Sequence, residues 1–165
     1  MSSLRHRNLP HLLLRAREAL MAQFRPLLNE AGLTEQQWRI VRALLEHGAL
    51  ESRQLSEQCS ISSPSIVGVL LRLEETGLIT RERMEHDQRR LQVALTSRGL
   101  ALARKLVPRI EQRYEELEAG IGVRPMHDVY DAIDSLLARI AEPGVDSDEE
   151  AAPAARSPRT GARRR

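Results

Sequence analysis

From Leu9 to Leu28 the apolar residues Leu9, Leu12, Leu13, Ala16, Leu20, Phe24, Leu27 and Leu28 recur at helical intervals. One helix is predicted there, kinked near Pro26. Gly32 is a stop, and Thr34 with Gln37 has the spacing of a capping box ahead of Trp38, Val41, Leu44 and Leu45. A second helix follows, from about Glu35 to His47. Gly48 ends it, and Ser52 is placed to cap a short third helix that carries Leu55 and ends near Cys59. Ser63 as N-cap with Pro64 at the first helical position starts a fourth, in which Ile66, Val69, Leu70 and Leu73 form a buried stripe before Gly77.

After Gly77 the period changes to alternation, with Ile79, Arg81 and Arg83 in one run and Leu91, Val93 and Leu95 in the next. This predicts a β-hairpin whose polar connection, Met84 to Arg90, projects into solvent. Thr96 can cap a long helix in which Leu100, Ala103, Val107, Ile110, Tyr114, Leu117 and Ile121 keep a heptad spacing, a seam that calls for a partner helix. A last helix is expected from about Pro125 to Ala141. Residues 142–165 lack apolar periodicity and read as a disordered tail.

Composition narrows the function classes. The 165 residues are 41% hydrophobic but contain only one Trp, one Phe and two Tyr, so aliphatic side chains build the core and helices are favoured over sheets. Apolar runs are too short for a membrane span or secretory signal. The lone Cys59 has no internal disulfide partner, which suits a cytoplasmic location. Net charge is +2, and residues 34–96 hold eight Arg against nine Asp plus Glu, so overall basicity gives no argument for nucleic acid. Any such argument rests on where the arginines cluster.

The order helix, helix, short helix, helix, hairpin, long helix, helix resembles the MarR family of winged helix-turn-helix regulators. The most specific motif is Asp87, Arg89, Val93, Leu95, Thr96 and Gly99, preceded by Leu73, Glu74, Gly77, Leu78, Ile79 and Arg81. Within the family, the stretches from Ala16 to Pro26 and from Leu33 to Arg42 resemble the homoprotocatechuate-operon repressor subgroup. The resemblance implies a mainly α fold with a small β-hairpin wing, assembled as a two-fold homodimer. A flexible N-terminus over 1–8, one domain over 9–141 with its DNA-binding core at 34–96, and the tail complete the expected organisation. Function would be repression of a catabolic operon through a palindromic operator in double-stranded DNA. Release would come from a small hydroxylated aromatic or heteroaromatic carboxylic acid such as a hydroxyphenylacetate.

On that reading the fourth helix enters the major groove with its N-terminal end leading. Ser63 and Ser65 can donate to phosphates or bases, although Ser63 can equally be only a cap. Val67 can meet a thymine methyl, Gly68 permits close backbone approach, and Pro64 shapes the turn. Arg72 is a phosphate or guanine contact. By resemblance Arg89 enters the minor groove; Arg90 adds a phosphate contact and Asp87 orients a neighbouring arginine. A ligand pocket needs an apolar wall and a cation, for which Trp38, Arg15, His11 and Arg39 are the candidates, each with a plain structural alternative.

Rival functions have weaker support. No metalloprotease, phosphate-loop or nucleophile-elbow motif marks an enzyme. His6, His11, His86 and His127 have no metal-ligand spacing, and neither metal nor cofactor is expected. Cys59 could respond to oxidants, but its apolar register favours a structural role. A regulator without a small ligand, or a dimeric scaffold, is the other alternative. In the tail Arg163 to Arg165 is balanced by Asp146, Asp148, Glu149 and Glu150.

Overall fold

The computed structural model describes residues 5–84 and 87–141, with the side chains of 84–89 excluded. Its elements are α1 (Leu9–Glu30), α2 (Glu35–His47), β1 (Leu50–Glu51), α3 (Ser52–Gln58), α4 (Ser63–Glu75), β2 (Ile79–Met84), β3 (Asp87–Leu95), α5 (Ser97–Ile121) and α6 (Val123–Ala141). They divide into two compact units, one ending at Gly120 and the other beginning at Ile121. The expected tail lies outside the described residues.

In the first unit α2 is the central helix. It buries Gln37, Trp38, Ile40, Val41, Ala43 and Leu44, and its N-terminus carries the expected capping box: Thr34 N–H donates to Gln37 Oε1 at 2.8 Å and Gln37 N–H to Thr34 Oγ1 at 3.2 Å. That reciprocal pair is why a glutamine can sit in a core built otherwise from apolar side chains. Leu28 from α1, Leu55 from α3, Leu70 and Leu73 from α4, Ile79 and Val93 from the sheet and Leu106 from α5 complete the cluster.

Helix α1 runs as one element through Pro26, as the spacing predicts, and ends at Glu30. Three local expectations change. The caps of α3 and α4 fall one residue earlier than expected, on Glu51 and Ser62, because those residues hold the extended backbone that turns the chain into each helix. A two-residue β1 joins the hairpin, pairing Leu50 with Val93, so the sheet order is β1-β3-β2. The hairpin strands also run further than predicted, with Met84 opposite Asp87, and a bulge between Arg83 and Met84 adjusts the register.

The α5 seam finds much of its partner inside the chain. Ala103 and Ile110 are buried in the core, with Val107, Tyr114 and Leu117 packed against it, and Phe24 of α1 lies 4.7 Å from Tyr114 between ring centroids. Exposed apolar side chains sit instead on α1 (Leu9, Leu13, Leu14, Leu20) and, within the second unit, on α6 (Val129, Tyr130, Ile133, Leu137, Ile140).

The junction between α4, β2 and α5 accounts for much of the sequence motif. Gly77 has φ +68° and its N–H bonds to Glu74 O while Leu78 N–H bonds to Leu73 O, a Schellman turn. Thr96 then locks the corner: its N–H reaches Leu78 O at 3.0 Å, its hydroxyl donates to Gly77 O at 2.7 Å and accepts from Gly99 N–H at 3.0 Å. Gly99 is required by space, since a Cβ there would lie 2.1 Å from Leu78 O.

Candidate functional site

Helix α4 buries Ile66, Leu70 and Leu73 and turns its other face outward. On that face Ser63, Pro64, Ser65, Val67, Gly68, Leu71 and Arg72 are all exposed. Ser62 carbonyl accepts the Ser65 and Ile66 N–H groups, and Ser62 Oγ donates to Ser65 Oγ at 2.9 Å. Ser63 therefore lies inside the first turn, and its role as cap passes to Ser62. Among the described residues no carboxylate forms an ion pair with Arg72.

Two arginines brace the winged region. Arg81 of β2 donates from Nε to Glu74 Oε2 of α4 at 2.8 Å, tying the hairpin to the end of that helix. Arg90 of β3 donates from Nε to Glu51 Oε2 at 3.0 Å, across the sheet at the start of α3. The Arg90 hydrogen bond holds the Glu51 carboxyl below the usual carboxylate range; burial opposes it, and the Arg90 charge adds to the lowering. Arg90, expected at phosphate, is in this structure an intramolecular partner. Asp87 and Arg89 belong to β3 by backbone, and their side chains lie outside the described residues.

A second feature is an open groove of about 470 Å³ between α2 and the end of α3, lined by Arg39, Arg42, Ala43, Glu46, His47, Gln58 and Cys59. Of the ligand candidates only Arg39 lines it. Trp38 is buried in the core on the same helix, while His11 and Arg15 are exposed on α1. Arg39 Nη1 donates to the Cys59 carbonyl at 2.5 Å, and its Nε is buried without a partner. Burial lowers the Arg39 pKa and the nearby Arg17 lowers it further. Arg17 itself pairs with Glu35, whose Oε1 is 4.0 Å from Arg39 Nη2.

Arg42 is the groove residue that sequence reasoning passed over. Its Nε donates to Glu46 Oε1 at 2.7 Å, which raises its pKa against the effect of burial, and Tyr114 adds to the rise. The signal was present in the spacing, since Glu35, Arg39, Arg42 and Glu46 recur at three- and four-residue intervals on α2. Cys59 is buried, and burial pushes its thiol pKa up despite Arg39 beside it. Among the described residues no group of three or more His, Cys, Asp or Glu could hold a metal ion, and no helix is long and apolar enough to cross a membrane.

A short helix and a longer one that begins after Ser62 and is exposed along its outer face, followed by a braced antiparallel hairpin, define a winged helix-turn-helix domain. The chain belongs to the MarR family, whose profile matches residues 33–91. It is 46% identical over 114 residues to the HTH-type transcriptional regulator FarR of Neisseria gonorrhoeae, covering 69% of this chain and 78% of that one. It is 38% identical to the homoprotocatechuate degradative operon repressor of Escherichia coli, covering 81% and 90%. Among solved structures, NadR in complex with 4-hydroxyphenylacetate is 40% identical with a TM-score of 0.72, over 82% of this chain and 96% of that one. The chain is thus a transcriptional regulator of the MarR family.

Proposed function

We propose that the protein represses a catabolic or related operon by binding a palindromic operator as a two-fold dimer, and that a hydroxylated aromatic or heteroaromatic acid releases it. The observation that carries the DNA half is the outward face of α4, solvent-exposed from Ser63 to Ser65 and again at Val67, Gly68 and Arg72. Exposed apolar rows on α1 and on α6 support the dimer, because several leucines and isoleucines in water are costly unless a second copy covers them. Such a dimer presents two α4 helices about one helical turn of DNA apart.

For the effector, Arg39 and Arg42 supply cations for a carboxylate in the α2–α3 groove, and the buried, unpartnered Arg39 Nε is a donor such an acid can satisfy. Release then has a route. Arg39 holds the Cys59 carbonyl at the end of α3, next to the turn that leads into α4. A carboxylate that takes over Arg39 favours a different setting of that turn, and DNA affinity falls by the same differential. The matched repressor of homoprotocatechuate breakdown and the 4-hydroxyphenylacetate complex support this ligand class.

The test is a thermal-shift titration with 4-hydroxyphenylacetate, followed by displacement of the protein from a selected DNA duplex. Stabilisation with release is expected, both weakened in Arg42→Gln. An acid that stabilises the protein yet leaves DNA affinity unchanged refutes the release mechanism.

A further inference from the structure

Helix α4 has a glycine in its middle that no contact within the chain explains. A Cβ on Gly68 would meet no heavy atom within 4 Å, so the position is open to solvent, and glycine in a helix interior is destabilising relative to alanine. Beside it Pro64, Val67 and Leu71 follow one another at three- and four-residue intervals, with Val67 60% and Leu71 44% exposed. The first nine residues of the helix, 63–71, include no charged or amide side chain. Bidentate reading of guanine or adenine needs such a side chain, so the side chains of 63–71, ahead of Arg72, can read bases only through hydroxyls and apolar contact.

We infer that Val67 and Gly68 form a close-approach patch for a thymine methyl group in the major groove of each operator half-site. This rests on α4 being the DNA-reading helix proposed above. Gly68 removes the side chain that would hold the helix away from the base edges, and Val67 supplies the apolar surface the methyl meets. Among major-groove base edges thymine alone offers a methyl, so the contact selects T over C at that position. Leu71 extends the same row by about 6 Å along the helix.

The experiment selects duplexes from a random pool with the full chain, then replaces each half-site thymine of the selected duplex by deoxyuridine, which keeps base pairing and removes only the methyl. A loss of affinity of about fourfold is expected at one symmetry-related position. In Val67→Ala the same replacement should cost little. Gly68→Ala should raise the Tm by about 3 °C while weakening the selected duplex at least tenfold. Uracil tolerated at every position, selected half-sites without thymine, or Gly68→Ala binding like the parent overturns the patch while leaving α4 as the DNA-reading helix. Absence of any sequence selection overturns both.

Discussion

Gly99→Ala tests whether the corner joining α4 to α5 is as tight as the structure describes. The added Cβ would lie 2.1 Å from Leu78 O and 3.0 Å from Leu78 C, both backbone atoms that no rotamer change can move aside. Reaching ordinary contact requires a shift of about 1 Å or more, and overpacking of this kind costs roughly 1–3 kcal/mol. The same oxygen accepts the Thr96 N–H at 3.0 Å, and losing that bond adds about 1 kcal/mol. Against this, alanine gains up to about 1 kcal/mol of helix propensity. The net expectation is a destabilisation of about 1–3 kcal/mol, a fall in Tm of roughly 3–10 °C. Urea melts at fixed protomer concentration measure it, with Gly120→Ala on the same helix as reference, because nothing lies within 4 Å of that position. If Gly99→Ala is as stable as Gly120→Ala, the close approach of Leu78 to α5 is wrong, and with it the explanation of the threonine–glycine motif.

Thr96→Val should cost about 1–3 kcal/mol in the same melts, since it strands Gly77 O and Gly99 N–H, and Thr96→Ser should recover most of the loss. The Glu51 carboxyl has a lowered pKa in the folded protein, so its pairing with Arg90 stabilises the sheet above the ordinary glutamate range and is lost as pH falls through the lowered value. Glu51→Gln should remove that part of the acid sensitivity of stability in urea melts at acid and neutral pH. Cys59 has a raised thiol pKa and is buried, so its alkylation at neutral pH should be far slower than that of a free thiol and accelerate only on unfolding. Rapid alkylation of the native protein would restore Cys59 as an oxidant sensor. Arg72→Ala should weaken DNA binding and reduce the salt slope by about one if the residue meets a phosphate; an unchanged slope refutes that placement.

Much of the fold was legible because burial imposes periodicity. The stripes of α2 and α4, the Phe24, Leu27 and Leu28 end of α1 and the alternation of the hairpin could be read directly, as could the Thr34 and Thr96 caps, whose hydrogen bonds close within three residues. The candidate DNA face was legible for the same reason, being what remains of α4 once Ile66, Leu70 and Leu73 are assigned to the core.

What the sequence could not decide depends on which distant atoms meet. The two-residue β1 has no period of its own and exists because Leu50 and Glu51 find β3. The α5 seam has the spacing of a coiled coil, yet only packing shows that Phe24 and the core take up much of it. Arg90 looks free in a basic run, but Glu51, 39 residues away, claims it. Arg42 and Arg39 become a groove only when α3 ends with the Cys59 carbonyl against α2. The sequence by itself thus determined the helices and the hairpin, the inward faces of α2 and α4, and the caps at Thr34 and Thr96, since these arise between residues a few positions apart. Tertiary structure alone decided the long-range partners, Glu51 for Arg90 and Glu30 for Arg109, because a charge accepts any opposite group in reach and only the folded backbone brings distant groups within reach.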